Sequence, residues 1–186
     1  LAGYFVLPNS ITAHCGTVIN FGLYLLLFLV GLDMGRQGTM VRDVRAAGFR
    51  VLLVPLAIII GTFFMASLAG IVLSLGPKDC VAASAGFGWY SLSSTLLAPY
   101  SLSVSATAFL SNIMRELFSV VTIPVVARKL GYIEAVALPG ATSMDTVLPV
   151  VVSATSDRMT IYSFASGAIL SLSVPVLVPA IVALPI

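Results

Sequence analysis

Asn112, Arg115, Glu116 and Ser119 fall at i, i+3, i+4 and i+7, a spacing that puts all four on one face of a helix. Ser105 and Ala108 extend the stripe backward. The flanking sequence is apolar, so the stripe must face protein or water, because charge against lipid is costly. Arg115 and Glu116 are neighbours and point about 100° apart on a helix, so they are poorly placed to satisfy each other. Asp145 is the expected partner of Arg115; a transported cation or a proton is the expected partner of Glu116. Burial opposes ionisation of a carboxylate and a nearby cation favours it, so a group held between the two can load and release a proton. The structural alternative is a fixed Arg115 to Asp145 ion pair that only ties two segments together.

Asp145 lies in Leu138-Pro139-Gly140-Ala141-Thr142-Ser143-Met144-Asp145-Thr146-Val147-Leu148-Pro149, inside an otherwise apolar run from Ala135 to Val152. Prolines, a glycine and the hydroxyls of Thr142, Ser143 and Thr146 point to unwound backbone. A bilayer tolerates that only where it is buried in protein or lines an aqueous cavity, which makes the stretch a candidate substrate or ion site. A second interruption, Gly86-Phe87-Gly88-Trp89-Tyr90-Ser91, is followed by Ser93, Ser94 and Thr95. Two glycines around an aromatic free the backbone from helical geometry. The released amides and a half-helix N-terminus form a candidate cradle for a carboxylate, with Gly86, Gly88, Trp89, Tyr90, Ser91 and Ser93 as its members, and Asn112, Thr142, Ser143 and Thr146 are further candidate substrate-binding residues. The alternative is a packing contact with Trp89 and Tyr90 as interfacial anchors.

The elements that must position these groups are membrane helices. The 186 residues are 59% hydrophobic and 9% charged, with a mean hydropathy of +1.11, a composition that excludes an ordinary soluble domain. The net charge of +2 is small, and the basic residues occupy short loops, so no nucleic-acid partner is expected and the charges report topology. Apolar segments are expected at about Gly16 to Leu32, Phe49 to Leu75, Ser103 to Ala127 and Met159 to Pro185, with the two interrupted stretches at about Asp79 to Pro99 and Ala135 to Val152. The loop carrying Arg36, Arg42, Arg45 and Arg50 is expected to be cytoplasmic.

If all six stretches cross, Arg128 and Lys129 fall outside, against the positive-inside rule. If the two interrupted stretches re-enter instead, Arg128, Lys129 and Arg158 move to the cytoplasm and only Lys78 stays outside. Each leg of such a hairpin, about 10 residues, reaches about 15 Å, half a ~30 Å hydrocarbon core. The expectation is therefore an all-α polytopic membrane protein with four spanning helices and two broken or re-entrant elements meeting near the midplane; two crossing but unwound helices remain the alternative. Ser163, Gly167 and Ser171, four apart, suit close packing on the last helix.

Enzyme chemistry has no support in the residue inventory. His14 is the one histidine, so neither a zinc site nor a Ser-His pair can form, and no metal or other cofactor is expected. Cys15 and Cys80 are expected to be unpaired thiols. A channel filter around Gly86 to Tyr90 is a poor fit for a single copy.

Three stretches together resemble the LysO family of bacterial lysine exporters. They are Ala85-Gly86-Phe87-Gly88-Trp89-Tyr90-Ser91-Leu92-Ser93, Asn112-Ile113-Met114-Arg115-Glu116-Leu117, and Gly140-Ala141-Thr142-Ser143-Met144-Asp145 followed by Leu148-Pro149; Leu27-Phe28-Leu29-Val30-Gly31 is similar as well. The resemblance runs from about Phe21 to the C-terminus. It implies a multi-pass protein of the bacterial inner membrane that exports L-lysine and analogues such as thialysine, with Glu116 and Asp145 matching the family's intramembrane acids. Longer members carry a further N-terminal membrane region. Residues 1–186 are expected to form one transport domain that self-associates, works with a small separate subunit that supplies that region, or is a fragment of a longer chain. Two carboxylates suit the two ammonium groups of lysine, and Arg115 or the backbone of Gly86 to Ser91 suits its carboxylate. Proton antiport through Asp145 or Glu116 is the expected coupling. The other readings are a subunit that transports nothing itself and completes a partner's bundle, and a transporter or channel for another small cation.

Overall fold

The computed structural model describes residues 21, 22, 25, 28, 29, 32, 48, 50–73 and 76–185. The chain divides into two compact units, Leu1–Val41 and Arg42–Ile186. In the first, Phe21, Gly22, Leu25, Phe28, Leu29 and Leu32 are helical. The rest of the expected first segment lies outside the described residues, as do His14, Cys15 and the basic loop from Arg36 to Arg45.

The regular elements among the second unit's described residues are all helical: α1 (Arg50–Val72), α2 (Pro77–Ser84), α3 (Tyr90–Leu97), α4 (Leu102–Lys129), α5 (Tyr132–Ala137), a 3-10 turn (Gly140–Met144), α6 (Leu148–Ala154) and α7 (Met159–Ala183). Among the described residues, three helices are long and apolar enough to cross a membrane, Val51–Val72 of α1, α4 and α7. Pro55, Pro124, Pro175 and Pro179 lie inside them without ending them, as membrane helices allow. Half of α7's most apolar window is buried, against 22% for α1 and 17% for α4, so α7 is the inner post of the unit. Its buried face, Ser163, Gly167, Leu170, Ser171, Val174 and Val178, is the small-residue stripe expected from the sequence.

The interrupted stretches break where expected, and α2 with α3 folds back on itself. Tyr100 Oη donates to Asp79 Oδ1 at 2.9 Å, which brings the two ends of this element together. Lys78 Nζ is 5.8 Å from the centre of the Tyr100 ring and donates to the Leu184 carbonyl, so the C-terminal end of α7 is at this end too. Here α4 begins, with Ser101 Oγ accepting from Val104 N at 3.4 Å as its N-cap. At 28 residues α4 is about 42 Å long, and it carries Arg128 and Lys129 to the opposite end. The second interrupted element starts there at Tyr132 and returns to α7 through Arg158. The two broken elements thus begin and end at opposite ends of α4. Arg128, Lys129 and Arg158 share one end and Lys78 occupies the other.

Candidate functional site

The tip of the first broken element is organised by Asn112. Its Oδ1 accepts from Gly88 N at 2.7 Å, and its Nδ2 faces Ala83 O at 3.0 Å, Ala108 O at 2.8 Å and Ser93 Oγ at 3.4 Å. The side chain is 2% exposed, so this network supplies buried partners for the Gly88 N–H and the Ala83 carbonyl where the helix is interrupted. Phe87 holds φ +47° and Gly88 φ +106°. The first is unusual for a side chain as large as phenylalanine and is held by full burial and a tilted contact with Phe63, ring centres 5.7 Å apart.

The second tip is held from two sides. Ser143 Oγ is 2.7 Å from Gly140 O and 2.8 Å from Ser163 O, and Ser163 Oγ donates back to Ser143 O at 2.7 Å. Gly167 of α7 admits the turn closely, since a Cβ there would be 2.7 Å from both Ala141 O and Met144 N. The close packing expected of Ser163 and Gly167 therefore receives the 3-10 turn. The tips meet directly: Ala141 N donates to Phe87 O at 2.7 Å.

Arg115 differs from expectation. Its guanidinium donates to Leu138 O at 3.0 Å, and to Ala137 O and Thr62 Oγ1 at 3.5 Å each, three uncharged oxygens in place of the expected Asp145 carboxylate. The physical reason is local: α5 ends just before Pro139, which frees the carbonyls of its last turn beside α4. Arg115 consequently ties α1, α4 and the second tip together.

Glu116 and Asp145 meet through one hydroxyl. Thr146 Oγ1 is 2.7 Å from Glu116 Oε1 and 3.4 Å from Asp145 Oδ1, and Thr146 N donates to Asp145 Oδ1 at 2.6 Å. Glu116 is half-buried; Asp145 and Thr146 are exposed. Two carboxylates beside one hydroxyl form an acceptor-rich site suited to a cation or a proton. Among the described residues no group of three metal-ligating side chains forms.

A family model described as "Lysine exporter LysO" matches residues 1–182. The chain belongs to the LysO family. This is a family of exporters, not of enzymes, and the three long apolar helices agree with a membrane protein. The chain is 32% identical over 166 residues to "Lysine exporter LysO" of Escherichia coli (strain K12), covering 89% of this chain and 55% of that protein, so it spans about half the length of that relative. It is 28% identical over 162 residues to a "Putative lysine exporter" of Haemophilus influenzae, covering 83% of this chain and 79% of that one. No solved structure matches.

Of the residues singled out in this LysO-family sequence, the structure gathers Gly86, Gly88, Ser93 and Asn112 at the first tip. It buries Thr142 and Ser143 in the second and links Glu116, Thr146 and Asp145 beside it. Trp89 caps α3. Tyr90 stands edge-on to Phe109 with ring centres 5.6 Å apart. Ser91 is exposed, and its carbonyl accepts from Ser94 and Thr95 of its own helix. Thr62 and the Ala137 and Leu138 carbonyls join the site as partners of Arg115 that the sequence does not clearly mark. Thr62 is a lone hydroxyl in an apolar segment, a weak signal; a carbonyl has no signal in the side-chain sequence.

Proposed function

We propose that the chain is a single lysine-translocating domain of a bacterial inner-membrane exporter for L-lysine and close analogues such as thialysine. The observation that carries this reading is the convergence of Glu116 and Asp145 on the Thr146 hydroxyl, beside the meeting of the two tips. Two acids at that depth receive ammonium groups when lysine is bound and protons when it is not. The lysine carboxylate is met by backbone of the first tip, since Arg115 is engaged elsewhere. The names carried by the relatives support lysine as the cargo.

In this reading both broken elements re-enter the membrane, supported by the Tyr100 to Asp79 contact and by the shared end of Arg128, Lys129 and Arg158. Expelling a cation against a negative-inside potential costs about 2.3 kcal/mol per charge per 100 mV, so export requires coupling, and inward protons supply it. Reconstituted chain is expected to show lysine counterflow and lysine efflux driven by a pH gradient, with thialysine, ornithine and arginine as competitors that set the substrate range. Efflux indifferent to the gradient would sink proton antiport.

A second reading draws on the exposure of Asp145 and Thr146. A carboxylate at membrane depth requires a protein or aqueous surround, which a second copy or a separate membrane subunit would provide. Silence of the chain alone, with flux restored by a partner, favours that reading.

A further inference from the structure

Thr146 occupies the space between the two acids, and its hydroxyl has one proton to give. It is 2.7 Å from Glu116 Oε1 and 3.4 Å from Asp145 Oδ1. Asp145 Oδ1 already takes the Thr146 backbone N–H at 2.6 Å. A hydroxyl donates once and accepts through two lone pairs. With both acids ionised, it satisfies Glu116 and presents an oxygen lone pair to Asp145. A proton placed on Asp145 turns that contact into a donor facing an acceptor, giving a chain from Asp145 through Thr146 to Glu116.

We propose that Thr146 is the proton relay between Asp145 and Glu116. This rests on the reading of those two acids as the coupling carboxylates. The step balances without any other reactant: the Asp145 O–H bond breaks as its proton passes to Thr146 Oγ1, and the Thr146 O–H bond breaks as its own proton passes to Glu116 Oε1. Asp145 ends ionised, Glu116 neutral and the threonine unchanged. The step moves one proton from one acid to the other across the hydroxyl and is reversible.

Among the described residues, the charged groups in contact with this hydroxyl are Glu116 of α4 and Asp145 of its own segment, with Arg115 one residue along α4. α6 carries no charge, Glu134 lies in the first turn of α5, Arg158 caps the start of α7, and the residues of α1 after Arg50 are uncharged. The hydroxyl is thus the one proton-carrying link the described residues place between the two acids.

The test compares the reconstituted full chain with Thr146→Ser and Thr146→Val, measuring lysine counterflow and pH-gradient-driven lysine efflux on the same vesicles. In Thr146→Val, gradient-driven efflux is expected to fall at least about tenfold further than counterflow does, in line with loss of a positioned proton-transfer group. Thr146→Ser, which keeps the hydroxyl, is expected to restore the wild-type ratio. Parallel loss of both fluxes in Thr146→Val, as misfolding or a plain substrate contact would give, overturns the relay while leaving lysine transport standing. An unchanged ratio in that variant overturns it as well. Absence of counterflow in the unsubstituted chain overturns the transport reading and the relay with it.

Discussion

The carbonyl of Phe87 accepts the backbone N–H of Ala141 at 2.7 Å. One residue belongs to the broken element between Asp79 and Tyr100 and the other to the broken element between Tyr132 and Arg158, so this bond joins the two elements tip to tip. Around it the backbone departs from helix at Phe87, Gly88 and Gly140, with φ of +47°, +106° and +70°.

Gly140 is where this junction is most sensitive to an added methyl. A Cβ there would collide with Phe87 O and stand 3.1 Å from the Arg115 guanidinium, and its positive φ disfavours any larger residue. Gly140→Ala is expected to lower stability by about 1–3 kcal/mol. A drop in the thermal midpoint of the purified protein, with lysine flux reduced alongside it, would bear this out.

Asn112 is expected to be costly to replace even by a residue of its own size. Asn112→Leu leaves the Gly88 N–H and the Ala83 carbonyl unpaired in a buried setting. Each such group costs about 1–3 kcal/mol. Denaturation of the variant in detergent should show at least one such loss; an unshifted transition would mean that water reaches the first tip.

Arg115→Lys is not a conservative change here. The guanidinium fork reaches Leu138 O through Nε and Ala137 O through Nη2 while Nη1 faces Thr62, and a point-like ammonium cannot span these positions. Loss of about 1.5–3 kcal/mol is expected from one charged hydrogen bond alone. Had Arg115 paired with Asp145, Asp145→Asn would abolish its role; in the observed geometry, stability should depend on Arg115 much more than on Asp145.

At the Lys78 end, the Tyr100 phenol is held above its ordinary value of 10.0, first by its hydrogen bond to Asp79 and then by desolvation and the nearby negative charge. Because the folded value is raised, the stabilisation from this contact is fully present below the ordinary tyrosine value and is lost as pH rises through the raised one. The tyrosinate absorbance titration, taken as wild type minus Tyr100→Phe, should show a midpoint above that of free tyrosine, and Asp79→Asn should return it toward the ordinary value.

Much of this architecture is legible in the residues. Gly86 and Gly88, and Pro139 with Gly140, interrupt apolar runs too short for two full crossings, and the basic loops place the ends of the second run together. The i, i+3, i+4, i+7 spacing puts Asn112, Arg115, Glu116 and Ser119 on one face of the helix, and in the structure Asn112 and Arg115 of that face reach the first and second tips. The partner of Arg115 is not legible, because carbonyls released at Ala137 and Leu138 leave no mark on side-chain identity. Nor is it evident from sequence that Phe87, between two glycines, adopts a positive φ itself; tertiary burial against Phe63 overrides its local preference. The bridging position of Thr146 depends on the backbone leaving the 3-10 turn at Asp145, where φ is −132° and ψ −93°, a geometry set by tertiary packing.

Glu116 and Asp145, drawn together beside the joined tips, are the groups proposed to carry lysine and its coupling proton. Lysine counterflow into proteoliposomes, comparing the unsubstituted chain with Asp145→Asn at equal protein incorporation, tests this role most directly. Counterflow by the unsubstituted chain and a loss of at least about tenfold in the variant are predicted, as for removal of one charge-assisted contact of about 1.5–3 kcal/mol. Full counterflow by Asp145→Asn would contradict the account.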